Sequence, residues 1–349
     1  MDISSQRLQN QQIARLRRGS AADLVSAFGA IQAQEYPFAK WALALRLAEK
    51  TTDAEIDEVV DRGEILRTHM LRATWHFVAA TDLVWIQQLT APRVHARLAT
   101  YLRNFGIEKQ TITKAIRVVE RALAGRQYLT RQELRARMAR VGITLGGTPL
   151  GLVIIHAELE CVICSGPRRG KQSTYALVSE RAPGARTLQR DEALAELTRR
   201  YFASHGPATI RDCVWWSSLT TAEVRRGLAM IEARSFDQDG LTYWMVNSTK
   251  VPQQRGAHVH LLPIYDEFLV AYRDRLAVPH GPSSYALGPM KHALVINGTV
   301  AGTWRTDRLG TVIVMPVRSL TARERAAVEA RVEQLGRFLG VQMRTALER

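Results

Sequence analysis

Cysteine is scarce: Cys161, Cys164 and Cys213 are the only three, too few to close a disulfide framework. No apolar run approaches the roughly 20 residues that a membrane-spanning helix needs. The chain opens on polar, basic MDISSQRLQN and not on the apolar core of a signal peptide. A reduced, cytoplasmic protein away from the membrane is therefore expected. No P-loop, dinucleotide fingerprint or helix-hairpin-helix stands out. The one C-x-x-C, Cys161-Val-Ile-Cys164, has no second ligand pair and falls on an expected strand, where its sulfurs would point to opposite faces. His258-Val-His260 sets two imidazoles on one strand side, better explained by packing or hydrogen bonding than by zinc. No metal is expected. Acidic side chains are also short in supply, 33 against 48 Lys and Arg, a formal +15. That imbalance favours a polyanionic partner, of which nucleic acid is the commonest.

What is present is a globular composition, 46% hydrophobic and 23% charged, in a chain of 349 residues, longer than one core sustains. One order of elements recurs: helices, then a tight β-ribbon. Thr52–Asp53 caps a helix carrying Ile56, Val59 and Val60, which Gly63 ends. Strands over Glu64–Arg67 and Thr74–Val78 follow, joined by a basic turn through His69 and Arg72. Thr130 and Glu133 form a capping box, a second helix covers Leu150–Leu159, and strands Cys161–Cys164 and Ser173–Val178 flank the turn SGPRRGKQ. A third copy begins near Asp191, with capping boxes Thr209/Asp212 and Thr220/Glu223 and a hairpin turning at Asp239–Gly240. Helices closed by a hairpin are the pattern of a winged-helix module. The remainder holds a strand at His258–Leu262, a hairpin about Asn297–Gly298, a strand at Thr311–Val317 and a helix capped by Thr321 and Glu324. The expected fold class is α+β: three tandem winged-helix modules over 1–107, 108–186 and 187–256, then a C-terminal β-rich, partial-barrel subdomain over 257–349. Arg168, Arg169 and Lys171 at the SGPRRGKQ ribbon tip are candidates for DNA contact. Winged helices alone favour a non-enzymatic DNA-binding protein, a regulator or damage binder.

Four ordered segments carry a resemblance that goes further. Ala30–Gln34 (AIQAQ) resembles the Gln-x-Gln motif of the AlkZ-like winged-helix DNA glycosylases, and Leu66–Val78 (LRTHMLRATWHFV) resembles the basic first wing of that family. Leu262–Arg275 (LPIYDEFLVAYRDR) and Ile296–Arg305 (INGTVAGTWR) resemble signatures of its C-terminal half. The resemblance implies a monomeric, nucleoid-associated, monofunctional glycosylase without cofactor. It would act on double-stranded DNA containing N7- or N3-alkylated purines, bulky adducts or interstrand crosslinks among them, and leave an abasic site. Gln32 and Gln34 are its implied catalytic residues, and the second Gln sets the chain with the Gln-x-Gln branch.

Two residues apart on a helix point about 200° from one another, so the pair converges only on extended backbone. Pro37 supports such a break, because the residue before proline avoids helical geometry and proline suits the next helix's first turn. Alkylation makes the purine cationic, so it departs without a strong acid, and amides suffice to hold water and set dipoles against an oxocarbenium-like sugar. Glu35 is read as a first-turn carboxylate, not as the base. Arg67, Arg72 and His76 are candidates for DNA contact, His76 also lining the lesion pocket. Thr74, Asp266 and Arg273 are candidates for the pocket wall, with Glu267, Tyr272 and Arg275 grouped beside them.

Overall fold

The computed structural model describes residues 1–14, 16, 19–47, 51–247, 256–273 and 291–348; Arg275 lies outside them. The chain begins with α1 (Ile3–Asn10) and α2 (Ala21–Phe28), the latter opened by a capping box of Ser20 and Asp23. Gly29, at φ +83°, turns the backbone out of α2 into the two-residue strand β1 (Ile31–Gln32). Next come α3 (Tyr36–Ala44), with Pro37 in its first turn, and α4 (Asp53–Arg62), which Thr52 and Glu55 cap and Gly63 ends in the left-handed region. The ribbon β2 (Ile65–Met70) and β3 (Thr74–Ala79) then turns on Leu71–Ala73, and the long helix α5 (Leu83–Asn104) leads away. The sheet order is β1-β3-β2, all antiparallel: β1 joins the ribbon as a third strand, with Gln32 opposite His76 and Ile31 opposite Phe77.

The pattern returns in α6 (Lys109–Leu123), β4 (Leu129–Thr130), α7 (Arg131–Ala139) and α8 (Gly147–Leu159), closed by β5 (Ile163–Ser165) and β6 (Thr174–Leu177) in the order β4-β6-β5. Cys161 precedes β5 with φ +56°, so the C-x-x-C straddles a turn and a strand instead of lying on one strand as expected. After α9 (Val178–Arg181), the helices α10 (Arg190–Ser204), α11 (Ile210–Ser217) and α12 (Thr221–Ala229) precede the two-stranded ribbon β7 (Arg234–Gln238) and β8 (Leu241–Met245). The last part holds β9 (Val259–Leu262), the short helix α13 (Glu267–Val270), β10 (His292–Ile296), β11 (Thr299–Thr306), β12 (Thr311–Pro316), α14 (Ala322–Leu339) and β13 (Arg344–Leu347). Its five strands lie in the order β13-β12-β11-β10-β9, β13 parallel to β12 and the rest antiparallel.

The capping boxes expected at Thr130/Glu133, Thr209/Asp212, Thr220/Glu223 and Thr321/Glu324 all form. The cores do not follow the linear order of these units. One cluster packs α2, α3, α4 and Phe77 of β3 against Leu261, Leu294, Trp304 and Phe338 from the far end of the chain. A second joins Leu66, Val78 and the start of α5 to α10–α12, and a third fills the space between α5, α6–α8 and β5–β6. The short strand β1 therefore lies where sequence-distant halves are packed together.

Candidate active site

The Gln-x-Gln motif is not helical: Gln32 ends β1, and Gln34 lies in the link between β1 and α3. The Ala33 amide donates to the Trp75 carbonyl at 2.7 Å, continuing the pairing of β1 with β3, and Glu35 then starts α3. Glu35 is exposed and its side chain caps nothing. Gln32 is 7% exposed, and its Oε1 accepts from the Arg72 guanidinium at 3.4 Å. Gln34 is half-buried, its Oε1 accepting from the Trp75 amide at 3.4 Å.

Behind Gln32 stands a carboxylate. The Gln32 amide donates to Glu267 Oε1 at 2.6 Å, while Trp216 Nε1 donates to Glu267 Oε2 at 3.1 Å. His205 Nε2 lies 3.1 Å from the same Oε2. Burial alone would raise the Glu267 carboxyl, yet the contact with His205, the neighbouring His76 and the Gln32 amide hold it down to about 2. It is thus a buried anion at neutral pH. His76, opposite Gln32, is fully buried, and burial beside Arg72 pushes it down to about 4. Its neutral ring has Nδ1 2.8 Å from the Thr74 carbonyl, while Nε2 is buried without a hydrogen-bond partner.

Two arginines fix the loop. Arg67 is turned inward: Nε donates to the Ala33 carbonyl at 2.9 Å and Nη2 to that of Gln34 at 3.1 Å. Burial lowers its guanidinium to about 10, still a cation at neutral pH. It lies in a stack of planar groups. Its carbon is 4.2 Å from the Trp75 ring centre and 5.7 Å from that of Tyr36, over which Arg168 also lies at 4.3 Å. His69 closes the stack 3.8 Å from Trp75 and pairs with buried Glu158 of α8. Arg72 is tied to Gln32, to the carbonyls of Trp215 and Trp216 and to the Trp215 face.

The other candidates are dispersed. Arg169 and Lys171 are exposed at the β5–β6 tip, where Arg169 pairs with Glu133 at 2.8 Å and Arg168 donates to the Lys171 carbonyl. Thr74 is half-buried beside His76, its Oγ1 without a hydrogen-bond partner. Arg273 is exposed, its backbone amide held by Asp212. Asp266 is in the interior and forms no pocket wall. It is 1% exposed, accepts both Arg46 terminal nitrogens at 2.8 Å and caps α13 through the Phe268 amide. One residue on, Glu267 is as buried as Asp266, and it is this carboxylate that contacts β1. The acidic pair in LPIYDEF marked the region, but the sequence could not say which carboxylate turned toward β1.

The sequence taken over nearly its whole length defines the class. Residues 25–338 match the model of the AlkZ-like DNA glycosylases, so the chain belongs to that family and is a DNA glycosylase. Among individual proteins, it is 24% identical to an interstrand DNA cross-link repair glycosylase of Streptomyces sahachiroi over 358 residues, covering 96% of this chain and 95% of that one. The solved structure of the Streptomyces sahachiroi DNA glycosylase AlkZ shares the fold, with a TM-score of 0.80 at 21% identity over 99% of this chain and 98% of that one.

Proposed function

We propose that this DNA glycosylase hydrolyses the N-glycosidic bond of N7- and N3-alkylated purines in duplex DNA, bulky adducts and interstrand crosslinks included, with Gln32 and Gln34 at the reacting sugar. The observation that carries the reading is the Gln-x-Gln strand, pinned from one side by Arg67 and backed on the other by the buried Glu267 anion. The cross-link repair function named for the Streptomyces relative supports the bulky end of the substrate range. The three helix-and-ribbon units act as winged helices around the duplex, and the chain works as a monomer.

A cationic alkylpurine needs no proton to leave, so the enzyme's task falls on the sugar. As the bond stretches, positive charge grows on the sugar ring. The amide carbonyls of Gln32 and Gln34 and the field of Glu267 oppose it in a water-poor setting. The amides also orient the attacking water, supplying proximity where no strong base is needed. Neutral His76 offers its unpartnered Nε2 to the lesion pocket without adding a repelling charge. Glu267 and Arg67 do not touch the sugar: Arg67 positions the carbonyls of Ala33 and Gln34, and Glu267 holds the Gln32 amide and adds its field from behind. Arg168, Arg169 and Lys171 at the second ribbon tip exchange their surface partners for phosphates.

Single-turnover release of N7-methylguanine and of a bulky N7 adduct from duplex DNA, read as alkali-labile abasic sites, tests this. Gln32→Ala and Gln34→Ala are each expected to slow release by about 10²–10³-fold, the effect of removing one preorganised dipole, with the fold intact. Unchanged excision in both variants would move the active site elsewhere.

A further inference from the structure

Away from the motif, α5 and α8 pack side by side, and their facing sides bring His95, His156 and Glu160 together. His156 and Glu160 are one helical turn apart at the C-terminal end of α8, so they project from one face, and His95 reaches them from α5. Each side chain offers one donor atom, and the three atoms all lie within 4.8 Å of one another. His95 Nε2 is 2.9 Å and His156 Nε2 3.9 Å from the same carboxylate oxygen, Glu160 Oε1, and the two rings are 4.5 Å apart. Nδ1 of His156 is buried without a hydrogen-bond partner. Among the described residues this is the one place where three such side chains converge.

We propose that His95, His156 and Glu160 form a binding site for one divalent transition-metal ion of the zinc class, clipping α5 to α8. Two imidazoles and a carboxylate are a donor set that zinc accepts, with bonds of about 2.0–2.2 Å and tetrahedral ligands therefore about 3.3 Å apart. The present spacing needs only side-chain rotation of an ångström or so to reach that geometry. Glu160 is half exposed, so the ion has an entry path, and water completes its coordination. Neither spacing weighed in the sequence takes part: Cys161-Val-Ile-Cys164 and His258-Val-His260 lie outside the trio. The consequence is mechanical. The last turn of α8 also carries Glu158, which pairs with His69 at the end of the stack leading through Trp75 to Arg67. An ion at Glu160 would stiffen the support on which that stack ends.

Tag-free, chelator-treated protein titrated with Zn²⁺ alone, against a chromophoric competitor, should bind one equivalent and unfold at higher temperature with Zn²⁺ than without. Co²⁺ in its place should give the visible absorption of a tetrahedral site. His95→Gln and His156→Gln should each weaken binding by about tenfold or more and abolish the thermal shift. Their metal-free melting temperatures serve as the check that the fold survives. A Cys161→Ser/Cys164→Ser variant should bind as the parent does. Absence of binding to the parent, or equal binding by the two histidine variants, would overturn the proposal.

Discussion

Asp266 and Glu267 are adjacent in the chain and opposite in duty. Asp266 spends both carboxylate oxygens on Arg46, each side chain fully buried, and so holds α13 to the interior. Removing one partner of such a pair leaves an uncompensated buried charge, and Asp266→Ala is expected to cost about 3–5 kcal/mol in urea unfolding. Glu267→Gln keeps shape and removes the charge behind Gln32. We expect a smaller stability loss, about 1–3 kcal/mol, and an excision rate lowered about 10–100-fold through the lost field. A Glu267→Gln enzyme with parental single-turnover rates would remove the anion from the mechanism. The sequence made the Gln-x-Gln pair legible, together with its place just before a helix with Pro37 in the first turn, although Tyr36, the residue before that proline, is itself helical. It left the choice between two neighbouring acids open, because a four-residue helix gives no periodicity from which to read facing.

At the scale of elements, local signals were the readable ones. Each Ser/Thr-x-x-Glu/Asp box satisfies amides within a single turn, so its outcome depends on a few neighbouring residues, and those singled out at Thr130, Thr209, Thr220 and Thr321 form. The Asp239–Gly240 and Asn297–Gly298 turns follow for the same reason, both residues of each having positive φ. What the sequence hid was pairing between remote segments: β1 completing the first ribbon, β4 the second, β13 lying parallel on β12. Arg67 belongs to this hidden class. A basic residue on a wing reads as a phosphate contact, whereas its nitrogens are satisfied by Ala33 and Gln34. Arg67→Met should therefore slow excision while leaving affinity for undamaged duplex within about twofold. Loss of a phosphate contact would instead weaken binding and lower the salt slope by about one; fluorescence anisotropy across a salt series separates the two.

Across the whole molecule, three imidazoles shielded from water, His76 and His260 buried and His292 half-buried, set the response to acid. His76 and His292 are pushed down to about 4 and His260 to about 3, in each case chiefly by burial. Their folded pKa values lie below the unfolded 6.5, so as pH falls through 6.5 the unfolded chain takes up protons that the folded one refuses. Stability should drop continuously from pH 6.5 to about 4, by roughly 1–2 kcal/mol per histidine at pH 5. Glu267 and Asp82, both held near 2, act in the next window: their contribution is complete above their unfolded values and fades as pH falls toward 2. Urea titrations at pH 7, 6 and 5 check the first window, and a flat profile would contradict neutral burial of these rings.

The packing of the first helices against the last strands also sets a timetable. A ribosome delivers Gln32 long before Glu267, Trp304 or Phe338, yet Gln32 acquires its anion, and the core around β1 closes, only when those residues arrive. A nascent or prematurely ended chain thus carries the Gln-x-Gln motif without the carboxylate and the core that hold it in place.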